Sequence, residues 1–322
     1  MIRVSLNNFQ KSQIQKQMCI FISKKEILQK ICVLADFLEK KDCKSTSQIL
    51  KTVKPSDFII FGRLELQKYI NMFEEAIKLD SMISKIDEEE IKKYILDGYA
   101  KDGITGFSRF YDAFSKSDEA YSILEIIAVR VCPYCNRQYT FTARKNSLKS
   151  RPQFDHFFPK KSYPYLAVSV YNLIPSCALC NCGKSKDLPN NILYPYEESF
   201  ESKNIHFSAD EIIPYLLGVN ETIDISLKSC KPGDTTSKEI IDAYYKCFKI
   251  KILYELHSDC IEDLITKKAI FNKEAIENIY NSYSEILDNP QHLENLIFGK
   301  YDSDCFVNQP LSKLTSDIWD QI

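Results

Sequence analysis

The stretch CPYC, residues 132–135, places two cysteines two residues apart, and CALC, residues 177–180, repeats that spacing. A two-residue gap lets a tight turn direct both thiolates at one ion, and two such turns complete a tetrahedral Zn²⁺ site. The predicted ligands of one structural zinc ion are Cys132, Cys135, Cys177 and Cys180. Cys182 is a fifth nearby thiol, but the spacing favours Cys180. A redox role for one C-x-x-C pair stays open as the alternative.

The composition is that of a folded protein, with 44% hydrophobic and 27% charged residues. No apolar run approaches the roughly 20 residues that a membrane-spanning helix needs. The N-terminal segment lacks a compact apolar core followed by a small-residue cleavage site, so we expect no secretory signal and a cytoplasmic protein. In that compartment most of the 12 cysteines are expected to be free thiols or metal ligands rather than disulfides.

The net charge of −2 conceals a local excess of basic residues. Between residues 137 and 186 there is one acid, Asp155, and there are nine basic residues: Arg137, Arg144, Lys145, Lys149, Arg151, Lys160, Lys161, Lys184 and Lys186. A basic patch on an otherwise acidic chain suggests a confined site for a polyanion, while a solvated face is the plain alternative.

The chain is predicted to be α+β and mainly α, in three regions. Residues 1–130 form an N-terminal helical region, and a helix is expected from about residue 24 because Ser23 precedes a capping-box pattern. Residues 131–200 form a small irregular module rich in cysteine, proline and aromatic residues. Residues 201–322 begin with short strands, at NIHFS and TIDISLKS, and return to helix from about residue 237.

The stretch FDHFFPKK, residues 154–161, lies between the two predicted pairs of zinc ligands. Asp155 and His156 are adjacent, so on an extended segment their side chains point to opposite faces. That arrangement suits a carboxylate that holds a hard divalent ion beside an imidazole that takes a proton from water. Asn172 falls in the expected second strand, SVYNLIP, and Asn181 opens a short helix after Cys180. Strand, strand and helix together predict a compact one-metal site.

The segments CPYC, DHFFP, YNLIPSCALCN and GKSK resemble an HNH endonuclease of the His-Me finger (ββα-metal) class with two zinc knuckles, across residues 132–186. The resemblance implies that His156 is the general base and that Asp155 and Asn181 bind Mg²⁺ or Mn²⁺. It also implies that Asn172 restrains the loop carrying the histidine. The third motif position is Asn rather than His, so we expect weaker metal affinity but retained activity. The expected nucleic-acid contacts are Lys160, Lys161, Lys184 and Lys186.

A narrower resemblance rests on SYPYLAVSVYNLIPSC, ILYPYEESF and QPLSKLTSDIW, which are similar to the HNH subunit of Septu anti-phage systems, including pairs found with some retrons. It implies a bacterial defence nuclease that works with an SMC-like or ABC-type ATPase, docked by the helical flanks. The alternative is a zinc-bound adaptor that binds nucleic acid or the ATPase without cutting. The sequence leaves open whether the substrate is DNA or RNA.

The aromatic residues between the two cysteine pairs have two interpretations. They could stack on unpaired bases, or they could form the small core that such a module needs, and the core is favoured. These residues are Phe154, Phe157, Phe158, Tyr163, Tyr165 and Tyr171. The remaining histidines are interpreted as surface or core residues: His206, His257 and His292.

Overall fold

Helices dominate the computed structural model, which describes residues 1–146, 148–184, 191–219 and 223–322, in agreement with the predicted α+β, mainly α class. The α-helices are α1 Asn8–Lys24, α2 Ile27–Lys40, α3 Lys44–Thr52, α4 Arg63–Ser84, α5 Glu88–Asp97, α6 Phe107–Ser115, α7 Asp118–Ile127, α8 Ala178–Gly183, α9 Ile212–Leu216, α10 Thr235–Phe248, α11 Ile250–Glu255, α12 Ser258–Ile270, α13 Lys273–Ser282, α14 Pro290–Phe298 and α15 Ser312–Trp319. The strands are β1 Gly98–Tyr99, β2 Ile104–Thr105, β3 Ala143–Lys145, β4 Leu148–Ser150, β5 Gln153–His156, β6 Leu173–Ser176, β7 Ile205–Asp210 and β8 Asp224–Ser229.

The first helix begins earlier than the sequence predicts, and the predicted cap at Ser23 is wrong. Asn7 caps α1 in a reciprocal capping box with Gln10, and Ser23 lies in the last turn of that helix. The two helices are separated at Glu26, which adopts a left-handed conformation with φ of 52° before α2 begins. The apolar spacing that predicted α2 is confirmed, because its inward face includes the buried Ile31 and Leu34.

The long predicted helices of the N-terminal region are confirmed as α4 and α5. Asp80 is buried on α4, and its two carboxylate oxygens accept from the backbone N–H groups of Ser45 at 2.9 Å and Thr46 at 2.7 Å. These bonds satisfy the first amides of α3 and place a negative charge at the positive end of its dipole. The contact fixes α3 against α4.

The central region contains the predicted succession of strand, strand and short helix. β5 and β6 are antiparallel, with Asp155 opposite Ile174 and His156 opposite Leu173, and α8 follows β6 and packs against β5. Asn172 lies in a 3-10 turn just before β6 rather than inside the strand. The favoured interpretation of the aromatic residues is confirmed for most of them, which are buried: Phe154, Phe157, Phe158, Tyr165 and Tyr171.

The C-terminal region contains the two predicted strands, which pair as the antiparallel hairpin β7–β8. Asn136, in the first cysteine turn, ties this region to the central one. Its side-chain nitrogen donates to the Phe306 carbonyl at 2.9 Å, and its side-chain oxygen accepts from the Lys313 backbone at 3.0 Å. The buried apolar residues form one cluster that draws on all three predicted regions. The helices of the described residues include none long and apolar enough to cross a membrane.

Candidate metal centre and catalytic site

Four buried cysteines meet at the base of the central region, as their spacing predicts. Their sulfur atoms lie within 4.8 Å of one another, and the cluster consists of Cys132, Cys135, Cys177 and Cys180. The sulfurs of Cys135 and Cys177 are 3.9 Å apart. A tetrahedral ion with bonds of about 2.3 Å to sulfur holds its ligands about 3.8 Å apart, so the cluster could hold one metal ion such as zinc. Cys182 is exposed and lies outside the cluster.

Two different local structures present the cysteines. The first pair lies in a tight turn, where the Cys132 N–H donates to Gln138 at 2.9 Å and the Cys132 carbonyl accepts from the Asn136 N–H at 2.8 Å. The second pair uses the start of α8, which Cys177 precedes as the N-cap residue. The Tyr254 hydroxyl donates to the Cys135 carbonyl at 2.6 Å and links the first turn to α11.

The environment separates the acidities of the four thiols. Burial raises the pKa of Cys132, whereas hydrogen bonds with its neighbouring thiols, first with Cys132, lower the pKa of Cys177. A thiolate in this buried position needs a cation to balance its charge, since an isolated buried charge is costly. This chemistry suits a metal site.

His156 ends β5, and its ring is held in one tautomer. The Nε2 atom lies 2.9 Å from the Ala167 carbonyl oxygen. A carbonyl only accepts hydrogen bonds, so Nε2 carries the proton and Nδ1 keeps its lone pair in the neutral ring. Although His156 as a residue is half-buried, the packing around the imidazole desolvates it and lowers its pKa to about 3, while the hydrogen bond to Ala167 acts in the opposite direction. The neutral ring is the form that a general base requires.

An aromatic ring and a lysine flank this histidine. The Tyr111 ring on α6 lies 4.6 Å from the His156 ring, and the Lys160 ammonium lies 4.6 Å from the centre of the Tyr111 ring. Tyr111 gave no signal in the sequence, because its contact with His156 spans 45 positions of the chain. The Lys160 position is compatible with the predicted phosphate contact next to the histidine.

Asp155 points to the other face of β5, as predicted, and is engaged there inside the protein. Its Oδ2 atom accepts from the Tyr134 hydroxyl at 2.6 Å and from the Lys184 ammonium at 2.7 Å. The side chains of Lys184 and Asp155 are only 3% and 7% exposed. The ammonium of Lys184 also donates to the carbonyls of His156 and, at 3.0 Å, Phe157. Tyr134, between the two cysteines of CPYC, is a partner that the sequence reasoning missed.

The burial of Lys184 corrects its predicted role. Desolvation lowers its pKa, and the neighbouring Asp155 opposes that effect. An ammonium bonded to three internal oxygens is not available to a phosphate at the surface. Lys160 and the exposed Lys161 remain as predicted nucleic-acid contacts. Lys186, the fourth lysine of that prediction, lies outside the described residues.

Asn172 closes the loop that follows His156, the position its predicted role requires. Its Oδ1 atom accepts from the Phe158 N–H at 2.8 Å, and its Nδ2 atom donates to the carbonyls of Phe158 at 3.0 Å and Leu166 at 3.2 Å. Leu166 directly precedes Ala167, whose carbonyl holds the His156 ring. The amide therefore fixes both ends of the loop that sets the orientation of the histidine.

Replacing Asn172 with Ala should destabilise the protein by about 2 to 4 kcal/mol, because it leaves buried backbone groups of the loop without partners. Urea unfolding of the metal-loaded chain measures this loss. The matched control is Asn191→Ala, which removes a half-exposed amide whose partner among the described residues is Glu239. Equal stability of the two variants would show that the loop does not depend on Asn172.

Asn181 lies on α8 beside Gln153, the first residue of β5. Its Nδ2 atom donates to the side-chain oxygen of Gln153 at 2.6 Å, which directs the amide towards the face that also carries Asp155. The remaining histidines have other partners: His206 contacts Cys230, His257 accepts from Arg137, and His292 pairs with Asp288.

Comparison of the chain with protein-family models, with curated proteins and with solved structures finds no match. The assignment of a function therefore rests on the residues of this chain and their geometry.

Proposed function

We propose that the protein is a metal-dependent HNH-type endonuclease that hydrolyses phosphodiester bonds in DNA or RNA. The observation that supports it most is the state of His156: its Nε2 hydrogen is donated to the Ala167 carbonyl, and Nδ1 is left as an acceptor at the end of β5. The order of strand, strand and helix beside a four-cysteine centre supports the same proposal. Cleavage of labelled strands by the purified chain with Mg²⁺ or Mn²⁺ is the direct test.

In the proposed reaction, Nδ1 of His156 takes a proton from the water that attacks phosphorus, the P–O bond to the leaving nucleotide breaks, and solvent water protonates the leaving oxygen. Asn172 acts as a positioning residue, because it orders the loop that supplies the Ala167 carbonyl. Lys160 lies against the Tyr111 ring, which in turn contacts the His156 ring. Its ammonium neutralises a phosphate of the bound strand. The cysteine centre, with zinc as the proposed ion, holds the base of the module together and takes no part in the reaction.

The catalytic Mg²⁺ or Mn²⁺ ion is proposed to bind at Asp155 and Asn181, where the residues fit only in part. Such an ion would stabilise negative charge on the reacting phosphate. Asn181 has an amide oxygen to offer, but the Asp155 carboxylate already accepts from Tyr134 and Lys184. Metal binding at Asp155 therefore requires that Lys184 share the carboxylate or leave it.

Lys184→Met is expected to lower the free energy of unfolding by about 3 to 5 kcal/mol without added divalent ions, since it leaves the Asp155 charge buried and unpaired. Added Mn²⁺ should raise the melting temperature of this variant more than that of the wild type, because the ion replaces the missing charge. Thermal melts with and without Mn²⁺ measure both effects. Lys161→Met, which removes an exposed lysine, is the control. An absence of any Mn²⁺ response in the Lys184 variant would exclude Asp155 as a ligand.

A zinc-bound adaptor that binds nucleic acid or an ATPase without cutting is the second candidate. The buried pair of Asp155 and Lys184 favours it, because an internal ion pair is a structural use of the predicted metal ligand. The arrangement of His156 favours the nuclease, because an adaptor has no need of an imidazole held so that its Nδ1 atom is an unprotonated acceptor.

The biological setting is also a proposal: a cytoplasmic nuclease of bacterial anti-phage defence that works with an SMC-like or ABC-type ATPase. An exposed apolar row on α4 supports docking by the helical flank. Its members lie within an arc of about 100° around the helix axis, because successive residues of an α-helix are rotated by about 100°. They are Leu64, Met72, Leu79, Met82 and Ile83.

A further inference from the structure

Two exposed aromatic rings stack on each other at the exit of the first cysteine turn. Tyr139 and Phe141 have ring centres 4.5 Å apart and planes only 18° from parallel, and they are 50% and 46% exposed. They alternate with the buried Thr140, so both rings project to the same side of an extended segment. The Arg130 guanidinium lies 5.4 Å from the centre of the Phe141 ring. A flat, half-exposed aromatic surface beside a guanidinium matches the chemistry that binds nucleobases.

The chain continues from these rings into a basic hairpin, β3–β4, whose described residues are all exposed. No acidic residue occurs between positions 137 and 154. Two ion pairs fix the hairpin against α7: Arg144 bonds to Glu125, and Lys149 to Asp118 at 2.6 Å. Among the described residues Lys145 has no acidic partner, so its charge faces solvent.

The basic surface leads from the hairpin to the candidate catalytic histidine. The Arg151 guanidinium lies 5.9 Å from the centre of the Tyr121 ring and 5.0 Å from that of the Phe154 ring. Phe154 is two residues before His156 and projects from the same face of β5. Arg151 therefore places a positive charge on the approach to His156 from the hairpin, and Lys160 places one beyond it.

We propose that residues 139–146 and 148–151, which we name the basic arm, bind unpaired nucleotides of a DNA or RNA strand. Tyr139 and Phe141 stack on the bases, while Lys145 and Arg151 bind phosphates and direct the strand to His156. Unpaired nucleotides fit because bases in a duplex are stacked on each other and do not present their faces to protein rings. The proposal rests on the proposed nuclease function and names the substrate class of that site.

Binding to labelled oligonucleotides tests the basic arm without cleavage, in the full chain carrying His156→Ala. The probes are an unstructured single-stranded DNA, the same sequence as RNA, and a matched DNA duplex. Adding Tyr139→Ala and Phe141→Ala together should weaken binding of at least one single strand by at least about tenfold, since stacking contributes about 1 to 3 kcal/mol per base. Duplex affinity should change by less than about twofold. The control pair, Phe9→Ala with Tyr283→Ala, removes exposed rings of α1 and the segment after α13.

The salt dependence tests the charged part of the arm. Lys145→Ala should reduce the slope of log K against log salt by about 0.7 for a single strand, the value for one phosphate contact. The DNA and RNA probes distinguish the two kinds of strand.

Three results would overturn the inference: no binding of either single strand by the parent chain, unchanged single-strand affinity in the ring variant, or an equal loss for the duplex. Failure of the nuclease proposal is distinguishable. A chain with His156 intact that binds single strands through these rings but never cuts them keeps the arm and loses the nuclease. A chain that cuts equally well without the rings keeps the nuclease and loses the arm.

Discussion

Substitution of His156 by Ala is expected to abolish detectable cleavage, with a fall in rate of at least about a hundredfold. A positioned general base contributes about 10² to 10⁴ in rate, and the neutral ring held by Ala167 is the base in this account. The measurement is the initial rate of strand cutting by wild type and variant at equal concentration, with Mg²⁺ or Mn²⁺ present.

The matched control is His292→Ala, which removes a half-exposed histidine of α14 that pairs with Asp288. It should cut at the wild-type rate. Both variants should retain the wild-type metal content and melting temperature, so that a loss of cutting is a loss of chemistry rather than of folding. Cutting by His156→Ala at the wild-type rate would remove this residue from the mechanism.

The second large effect is expected for Cys177→Ser, which should lose the bound metal and most of the soluble yield together. A structural zinc site contributes about 10 to 16 kcal/mol of apparent binding energy, which is comparable with the whole stability of a typical domain. The loss should be severe here, because the cluster joins the first cysteine turn to α8, and through Tyr254 to α11. Metal content by mass spectrometry and thermal melts provide the two readouts.

Cys182→Ser is the control for that experiment, since the exposed thiol lies five positions away from Cys177 and outside the cluster. It should bind one metal ion per chain and melt like the wild type. Wild-type metal content and stability in Cys177→Ser would contradict the four-cysteine assignment. Metal loss in both variants would instead make Cys182 a ligand.

The parts of the site that could be predicted from the sequence are those encoded by local spacing. Two C-x-x-C pairs determine how four sulfurs converge, and the alternation of a strand determines that Asp155 and His156 face opposite ways. The hairpin β7–β8 followed from alternating residues bounded by turns. These predictions depend on contacts within a few residues or on the stereochemistry of one ion.

The features that the sequence did not reveal depend on contacts between distant segments. Lys184 was predicted to bind phosphate because it is basic, whereas its burial beside Asp155 depends on how α8 packs on β5. Tyr111 reaches His156 from α6. The predicted cap at Ser23 is wrong because this residue belongs to the last turn of α1, and the boundary between the two helices follows at Glu26.

The exposed state of the stacked rings in the basic arm was also beyond sequence reasoning. Phe154 and Tyr139 are both aromatic residues of the same basic segment, yet the first is buried and the second is half exposed. Phe154 is covered by its contact with the Phe114 ring of α6, a contact between distant segments of the chain. Surface exposure is therefore what makes base stacking a role for Tyr139 rather than for the buried Phe154.

The most direct test of the proposed nuclease activity is cleavage of a plasmid, a single-stranded DNA and a transfer RNA by the purified wild-type chain, with and without Mg²⁺ or Mn²⁺. We expect cutting of at least one substrate, and this cutting should depend on the added ion and on His156. Intact substrates throughout, from a chain that carries its metal and binds the strands, would contradict the nuclease and leave the adaptor.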